Sequence, residues 1–148
     1  MKIKEYNKIS DVIAEEIFSL EEAIFDNPYT KEKLQREANV KHALVVLIAY
    51  EENKPIGYKV GYELSARLFY SWIGGVHPDF RRKGVAKELS KKQQEIISNL
   101  GYSRVRTFTE NRFKEMLIYN IKYGFNIIGT QQSDHDEEII IMLEKELN

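Results

Sequence analysis

No cysteine occurs in the 148 residues, which excludes disulfides, thiol nucleophiles and cysteine-ligated zinc and suits a reducing compartment. The three histidines, His42, His77 and His135, lie far apart with no His-x-x-x-His spacing, so no metal is expected. No apolar run approaches membrane-spanning length, and the opening Met-Lys-Ile-Lys-Glu-Tyr carries no apolar leader core. A cytoplasmic protein without membrane contact is the expectation. Neither charge dominates: 22 basic and 23 acidic residues leave a net charge of −1, which offers no overall field for gripping nucleic acid, and none is expected as a partner. A Gly-x-x-x-x-Gly-Lys-Ser/Thr run and a Gly-x-Gly-x-x-Gly run are both missing, so neither a P-loop nor a dinucleotide fingerprint is present. Repeats, linkers and low-complexity tracts are lacking too. With 43% hydrophobic composition, residues 1–148 suit one domain large enough to bury a core.

What is there is a regular alternation of elements. Lys2 to Tyr6 reads as a strand, and Ser10 as the N-cap of a helix carrying Val12, Ile13, Ile17, Leu20 and Ile24 on one face. Asn27-Pro28 ends that helix, and Thr30 caps a second one running to about Asn39. Leu44 to Tyr50, Ile56 to Leu64 and Leu68 to Val76 form a meander, with a turn at 52–55 between the first two. Beyond Val76 the pattern becomes a helix with Val85, Leu89, Ile96, Ile97 and Leu100, a strand at Arg104 to Thr109 and a helix at Phe113 to Tyr123. Strands follow at Phe125 to Thr130 and Ile139 to Leu143. Residues 131–138 read as a mobile loop. The class implied is α/β (α+β), a mixed sheet with helices on both faces.

The most informative segment is Val76-His-Pro-Asp-Phe-Arg-Arg-Lys-Gly-Val-Ala86, which joins an apolar strand to an amphipathic helix through a short basic turn. The first N–H groups of a helix lack intrahelical acceptors and carry the positive end of its dipole, so an anion is stabilised there. Gly84 and Ala86 allow close approach to the main chain, and Arg81, Arg82 and Lys83 add charge. Lys87, Lys91 and Lys92 extend the basic strip, although a solvated helix face is the simpler reading of those three.

With Arg81, Gly84 and Ala86 at the signature positions, this turn resembles the Arg/Gln-x-x-Gly-x-Gly/Ala motif of the GNAT superfamily of acyl-CoA N-acyltransferases. The likeness extends over most of residues 55–130 and includes Met116-Leu117-x-x-Asn120-x-x-x-Gly124-Phe125, similar to the family's last helix and its Gly-Phe exit. The resemblance implies a mostly antiparallel sheet with a splayed parallel strand pair at the cofactor cleft. It also implies acetyl-CoA as co-substrate and direct acetyl transfer to a primary amine on a small molecule or peptide, by a monomer or homodimer. Gly74, Gly75, Val76, Arg81, Arg82, Lys83, Gly84, Val85, Ala86, Lys87 and Asn120 then stand at the cofactor. In that family the strand ending at Val76 pairs with the pantetheine amides, and a main-chain N–H near Val76 faces the thioester oxygen. Gly74-Gly75 independently suggests a bulge or a close backbone approach, or simply a packing adjustment under a helix.

Catalytic groups are harder to read. Many members of the family carry a Glu on the strand before the turn or on the next strand, but Tyr70, Ser71 and Trp72 and then Arg106, Thr107 and Phe108 fill those stretches. Glu63 and Glu110 are the candidate bases, with a water chain as the alternative. Where many relatives place an acid Tyr, four residues before the Gly, this chain has Asn120, with Tyr119 one residue off. Helical phase sets Asn120 among Phe113, Met116, Leu117, Ile121 and Gly124, so it meets either the cofactor or a backbone partner in the core. Asn cannot act as an acid, which leaves Tyr119 or water. Tyr58, Tyr62, Tyr70 and Trp72 could line the acceptor cleft. Glu15, Glu16, Glu21, Glu22 and Asp26 would give it an acidic wall, or form a solvated helix face. The missing carboxylate also admits a CoA-binding regulatory or sensor module with little transferase activity.

Overall fold

Ser10 Oγ accepts a hydrogen bond from the Ile13 N–H at 3.3 Å and so starts α1 (Asp11–Ile24), and Thr30 Oγ1 accepts from the Lys33 N–H at 3.2 Å to start α2 (Lys31–Ala38). The computed structural model describes residues 1–134 and 136–147. Its strands are β1 (Lys2–Tyr6), β2 (Val45–Glu51), β3 (Lys54–Ser65), β4 (Leu68–Val76), β5 (Arg104–Glu110), β6 (Asn126–Gln132) and β7 (Ile139–Glu146). Helices α3 (Val85–Asn99) and α4 (Lys114–Lys122) flank β5 in sequence. Among the described residues one sheet contains these seven strands in the spatial order β1-β2-β3-β4-β5-β7-β6, and only the β4–β5 pair is parallel.

The β2–β3 turn is tighter than 52–55. Glu52 and Asn53 take positive φ values of 50° and 67°, the geometry of a two-residue hairpin whose twist matches its strands, so Lys54 already pairs with Glu51. Likewise β6 reaches Gln132, and the Ser133 N–H donates to the Glu138 oxygen at 2.9 Å, which shortens the expected 131–138 loop; His135 lies outside the described residues.

Each sheet face is covered by one pair of helices. Ile13, Ile17 and Leu20 of α1 and Leu34 of α2 pack on Val46, Ile48, Tyr58 and Val60, whereas Val85, Leu89 and Ile97 of α3 pack on Leu47, Ile56, Phe69 and Val105. Burying each such side chain contributes roughly 1.5–3 kcal/mol, which holds both layers to the sheet. Val12, expected on the inner face of α1, is 67% exposed, and the buried α1 positions include Glu21 instead. In α4, Phe113, Met116 and Ile121 face outward while Leu117 and Asn120 turn in. Gly124, at φ 98°, ends α4: its N–H donates to the Ile121 oxygen at 3.2 Å and the Phe125 N–H to the Asn120 oxygen at 2.9 Å. That left-handed exit delivers Phe125 into the core beside Leu143.

Candidate active site

The parallel strands β4 and β5 pair only at Leu68–Arg104, Phe69–Val105 and Tyr70–Arg106. One step further, Thr107 Oγ1 donates to the Ser71 oxygen at 3.1 Å, and from there the strands diverge. The gap therefore opens at Ser71, several residues before Val76. A bulge causes it: Val60 pairs with Ile73 but Gly61 with Ser71, and both Trp72 and Ile73 pack on the α1 face. The His77 N–H donates to the Ile56 oxygen at 2.8 Å and Gly75 pairs with Tyr58, so strand alternation turns the main-chain N–H groups of Gly74 and Val76 away from β3 into the gap. A Cβ on Gly75 would lie 2.8 Å from Ile24 Cδ1, so a side chain there would have to displace the tip of Ile24.

At the open end of this gap the basic turn leads into α3. Arg82 (φ 62°) and Gly84 (φ 81°) are both left-handed, which curls successive N–H groups to one side. Gly84 is the N-cap without any side-chain capping bond, and its own oxygen accepts the Glu88 N–H at 3.0 Å. The N–H groups of Val85, Ala86 and Lys87 thus have no helical acceptor. Val85 is anchored in the core, where a Cβ on Gly57 would come within 2.9 Å of its Cγ1. Among the described residues Arg81, Arg82, Lys83 and Lys87 form no ion pair, and nothing lies within 4 Å of a Cβ built on Gly84. Donors, positive charge and open space coincide there, a combination that fits a polyphosphate.

Across from α3, α4 presents two neighbouring groups differently. Asn120 is the buried residue of α4, and no hydrogen bond of its carboxamide to a described residue is found. The Tyr119 phenol points instead to Ser90 of α3; burial raises its pKa and the Ser90 hydrogen bond opposes that rise. Tyr119 also stacks on Tyr123, whose ring carries Lys87 Nζ at 6.0 Å, so α3 and α4 meet through these side chains.

The carboxylates are scattered. Glu63 sits opposite Phe69, at the far end of β4 from Val76, and accepts from the Tyr102 hydroxyl at 2.9 Å; burial and that bond push the Tyr102 phenol up to about 12. Glu110 ends β5 at the mouth of the gap and pairs with Arg112 at 2.6 Å. Glu21 was legible as a carboxylate at helical spacing from Ile13 and Ile17, yet its role came only from the fold: it is buried, and it accepts from the Tyr58 hydroxyl and from the Tyr29 N–H at 3.0 Å. Of the expected acidic wall, Glu16 is bound to Tyr50, Glu15 is exposed and paired with Lys31, and Glu22 and Asp26 are exposed. Tyr58 is core, whereas Tyr29, Trp72, Tyr62, Tyr70 and Phe108 form a chain of ring contacts 5.2–5.8 Å apart on the α1–α2 side of the gap.

Solved N-acetyltransferases have this architecture. The ribosomal-protein-S18-alanine N-acetyltransferase from Escherichia coli superposes with a TM-score of 0.83 at 10% identity, over 99% of this chain and 95% of that one. An aminoglycoside 6'-N-acetyltransferase complexed with coenzyme A gives 0.80 at 12% identity, over 100% and 98%. Ard1 from Thermoplasma volcanium gives 0.85 at 19%, over 99% and 97%. At such identities the likeness establishes the fold: a GNAT-like sheet with a splayed parallel pair. Residues 14–125 match the model of the acetyltransferase (GNAT) family, and the chain belongs to that family. No protein of curated function matches its sequence. Among the described residues no helix is long and apolar enough to cross a membrane.

Proposed function

We propose that the protein transfers an acetyl group from acetyl-CoA to a primary amine by direct attack in a ternary complex. The observation that carries this reading is the uncapped start of α3, flanked by unpaired cations and set at the mouth of the β4–β5 gap. Val85, Ala86 and Lys87 N–H groups, with Arg81, Arg82, Lys83 and the left-handed Gly84, would hold the pyrophosphate. Gly74 and Val76 would offer main-chain donors to the pantetheine arm and the thioester oxygen. A donor at the developing oxyanion is worth about 3 kcal/mol. Asn120, buried on α4, would bond the arm.

The acceptor would enter from the α1–α2 side, past Tyr29, Trp72 and Tyr62. Its ammonium must lose a proton before attack. Glu110 at the gap mouth, or water there, would take it, while Glu63 is too far along β4 to do so. Aromatic faces favour a cationic amine. The cytoplasm belongs to the same proposal, in keeping with the absence of cysteine.

Calorimetric titration with CoA, followed by thiol release from acetyl-CoA with amino acids, polyamines, aminoglycosides and peptide N-termini, tests the reading. Binding and turnover of at least one amine are expected. CoA binding without turnover of any amine would favour the regulatory module, and no CoA binding would overturn the proposal.

A further inference from the structure

We propose that Lys59 is a catalytic residue whose ammonium donates the proton taken up by the departing CoA thiolate. This rests on the acetyl-transfer reading above and supplies the acid that Asn120 cannot be.

Lys59 lies in the middle of β3 between Tyr58 and Val60, both buried on the α1 face, so strand alternation turns it to the α3 face. Its cross-strand partner on β4 is Gly74. Because Gly74 has no side chain, the Lys59 stem leans over it, and a Cβ built there would lie 3.6 Å from Lys59 Cγ. A chain laid in the gap from the α3 end passes Val76 and reaches Gly74 before the Thr107–Ser71 contact closes the strands, which sets its sulfur end level with Lys59. Gly57 and Gly61 flank Lys59 on the same face and let α3 approach closely, with Leu89 over one and Gln93 over the other.

The surroundings are short of charge. Lys59 has no ion pair or hydrogen bond with a described residue. Leu47 is its partner on β2; α3 turns Val85, Leu89 and the uncharged Gln93 inward and sends Lys87, Glu88, Lys91 and Glu95 to solvent, with Lys92 half-buried. From α4 the titratable group is Tyr119, directed at Ser90 and neutral. On β5, Arg104 and Arg106 are tied to Glu144. Lys59 is half-buried, as on a cleft wall, and burial alone lowers its pKa to about 8. A thiol titrates near 8.5, so proton transfer between the two is close to balanced.

In the step itself the neutral amine nitrogen forms its bond to the carbonyl carbon and releases one of its protons to water in the cleft, the carbon–sulfur bond breaks, and the electron pair leaves on sulfur. The proton on Lys59 Nζ converts the thiolate to the thiol, and Lys59 recovers a proton from solvent through the open part of the cleft.

The test uses the full chain with CoA and with desulfo-CoA, which lacks the thiol. Ultraviolet thiolate absorbance of bound CoA is titrated against pH in wild type, Lys59→Met and Lys59→Arg. In the wild type the bound thiol should ionise about one pH unit lower than in water, through the adjacent ammonium. Lys59→Met should abolish that shift and retain desulfo-CoA affinity; Lys59→Arg should keep it. A wild-type thiol that titrates as free CoA does, or an undiminished shift in Lys59→Met, overturns the role of Lys59 while leaving acetyl transfer intact. Failure of the wild type to bind either ligand overturns both.

Discussion

Thr107 on β5 donates its hydroxyl to the main-chain oxygen of Ser71 on β4 at 3.1 Å, one step past the last paired residues of this parallel pair. A side chain thus takes over where the backbone ladder stops. It sets the depth of the gap, because the bulge at Trp72–Ile73 has already turned β4 away from β5.

Replacing Thr107 by Val keeps the shape and removes this bond. The loss should cost about 1 kcal/mol of stability, the usual worth of one such hydrogen bond. CoA affinity should fall several-fold as the closed end of the gap loosens, measured by denaturant midpoint and calorimetry.

Gly84 separates two effects. Nothing obstructs a Cβ there, so Gly84→Ala should cost only the left-handed backbone strain, about 1 kcal/mol, with a modest loss of CoA affinity. Gly84→Glu adds bulk and a negative charge where the pyrophosphate would sit, and CoA binding should be lost in a folded protein. Unchanged affinity in Gly84→Glu would remove the basis of the cofactor site.

Asn120 and Tyr119 make opposite forecasts. Asn120→Ala should weaken CoA binding and turnover more than Tyr119→Phe, because Asn120 is turned inward while the Tyr119 phenol is engaged with Ser90. The reverse order in steady-state kinetics would make Tyr119 the group at the sulfur and would also count against Lys59.

Acid sensitivity should localise at Glu144. Burial by itself would raise its pKa, but hydrogen bonds from Arg106 and Arg104 outweigh burial and hold the carboxyl below its ordinary value. A depressed carboxyl stabilises the fold above its unfolded pKa and loses that contribution as pH falls through the folded one. Glu144→Gln should therefore cost about 1 kcal/mol at neutral pH, a figure kept small because Arg104 is 42% exposed, and the gap to wild type should close in strong acid. Urea midpoints at several pH values check both halves.

Much of this was legible along the chain because it depends on neighbours in sequence. Ser10 and Thr30 cap their helices with their own side chains, and Gly124-Phe125 ends α4 through bonds to residues three to five positions back. The basic turn before α3 is equally local, since helix-start donors and the charges of Arg81 to Lys83 lie within one short segment. Periodicity failed where packing chose among residues one step apart. Val12 and Met116 fit an apolar stripe by spacing, yet both are exposed and α1 buries Glu21, because partners on other elements decide which line of a helix meets the sheet, whereas Asn120 is buried as its helical phase implied.

The sequence by itself determined the elements, their caps, the polyphosphate turn and the family resemblance, all of which rest on short-range backbone chemistry. Only the tertiary structure decided where β4 and β5 part, that Glu63 is remote from the turn while Glu110 is near its gap, and that Lys59 faces α3 beside Gly74. Strand alternation gives a side chain one of two faces, but whether that face meets water, a helix or a cleft depends on elements dozens of residues away. A lysine in the middle of a strand reads as a solvated position until α3 is laid over it.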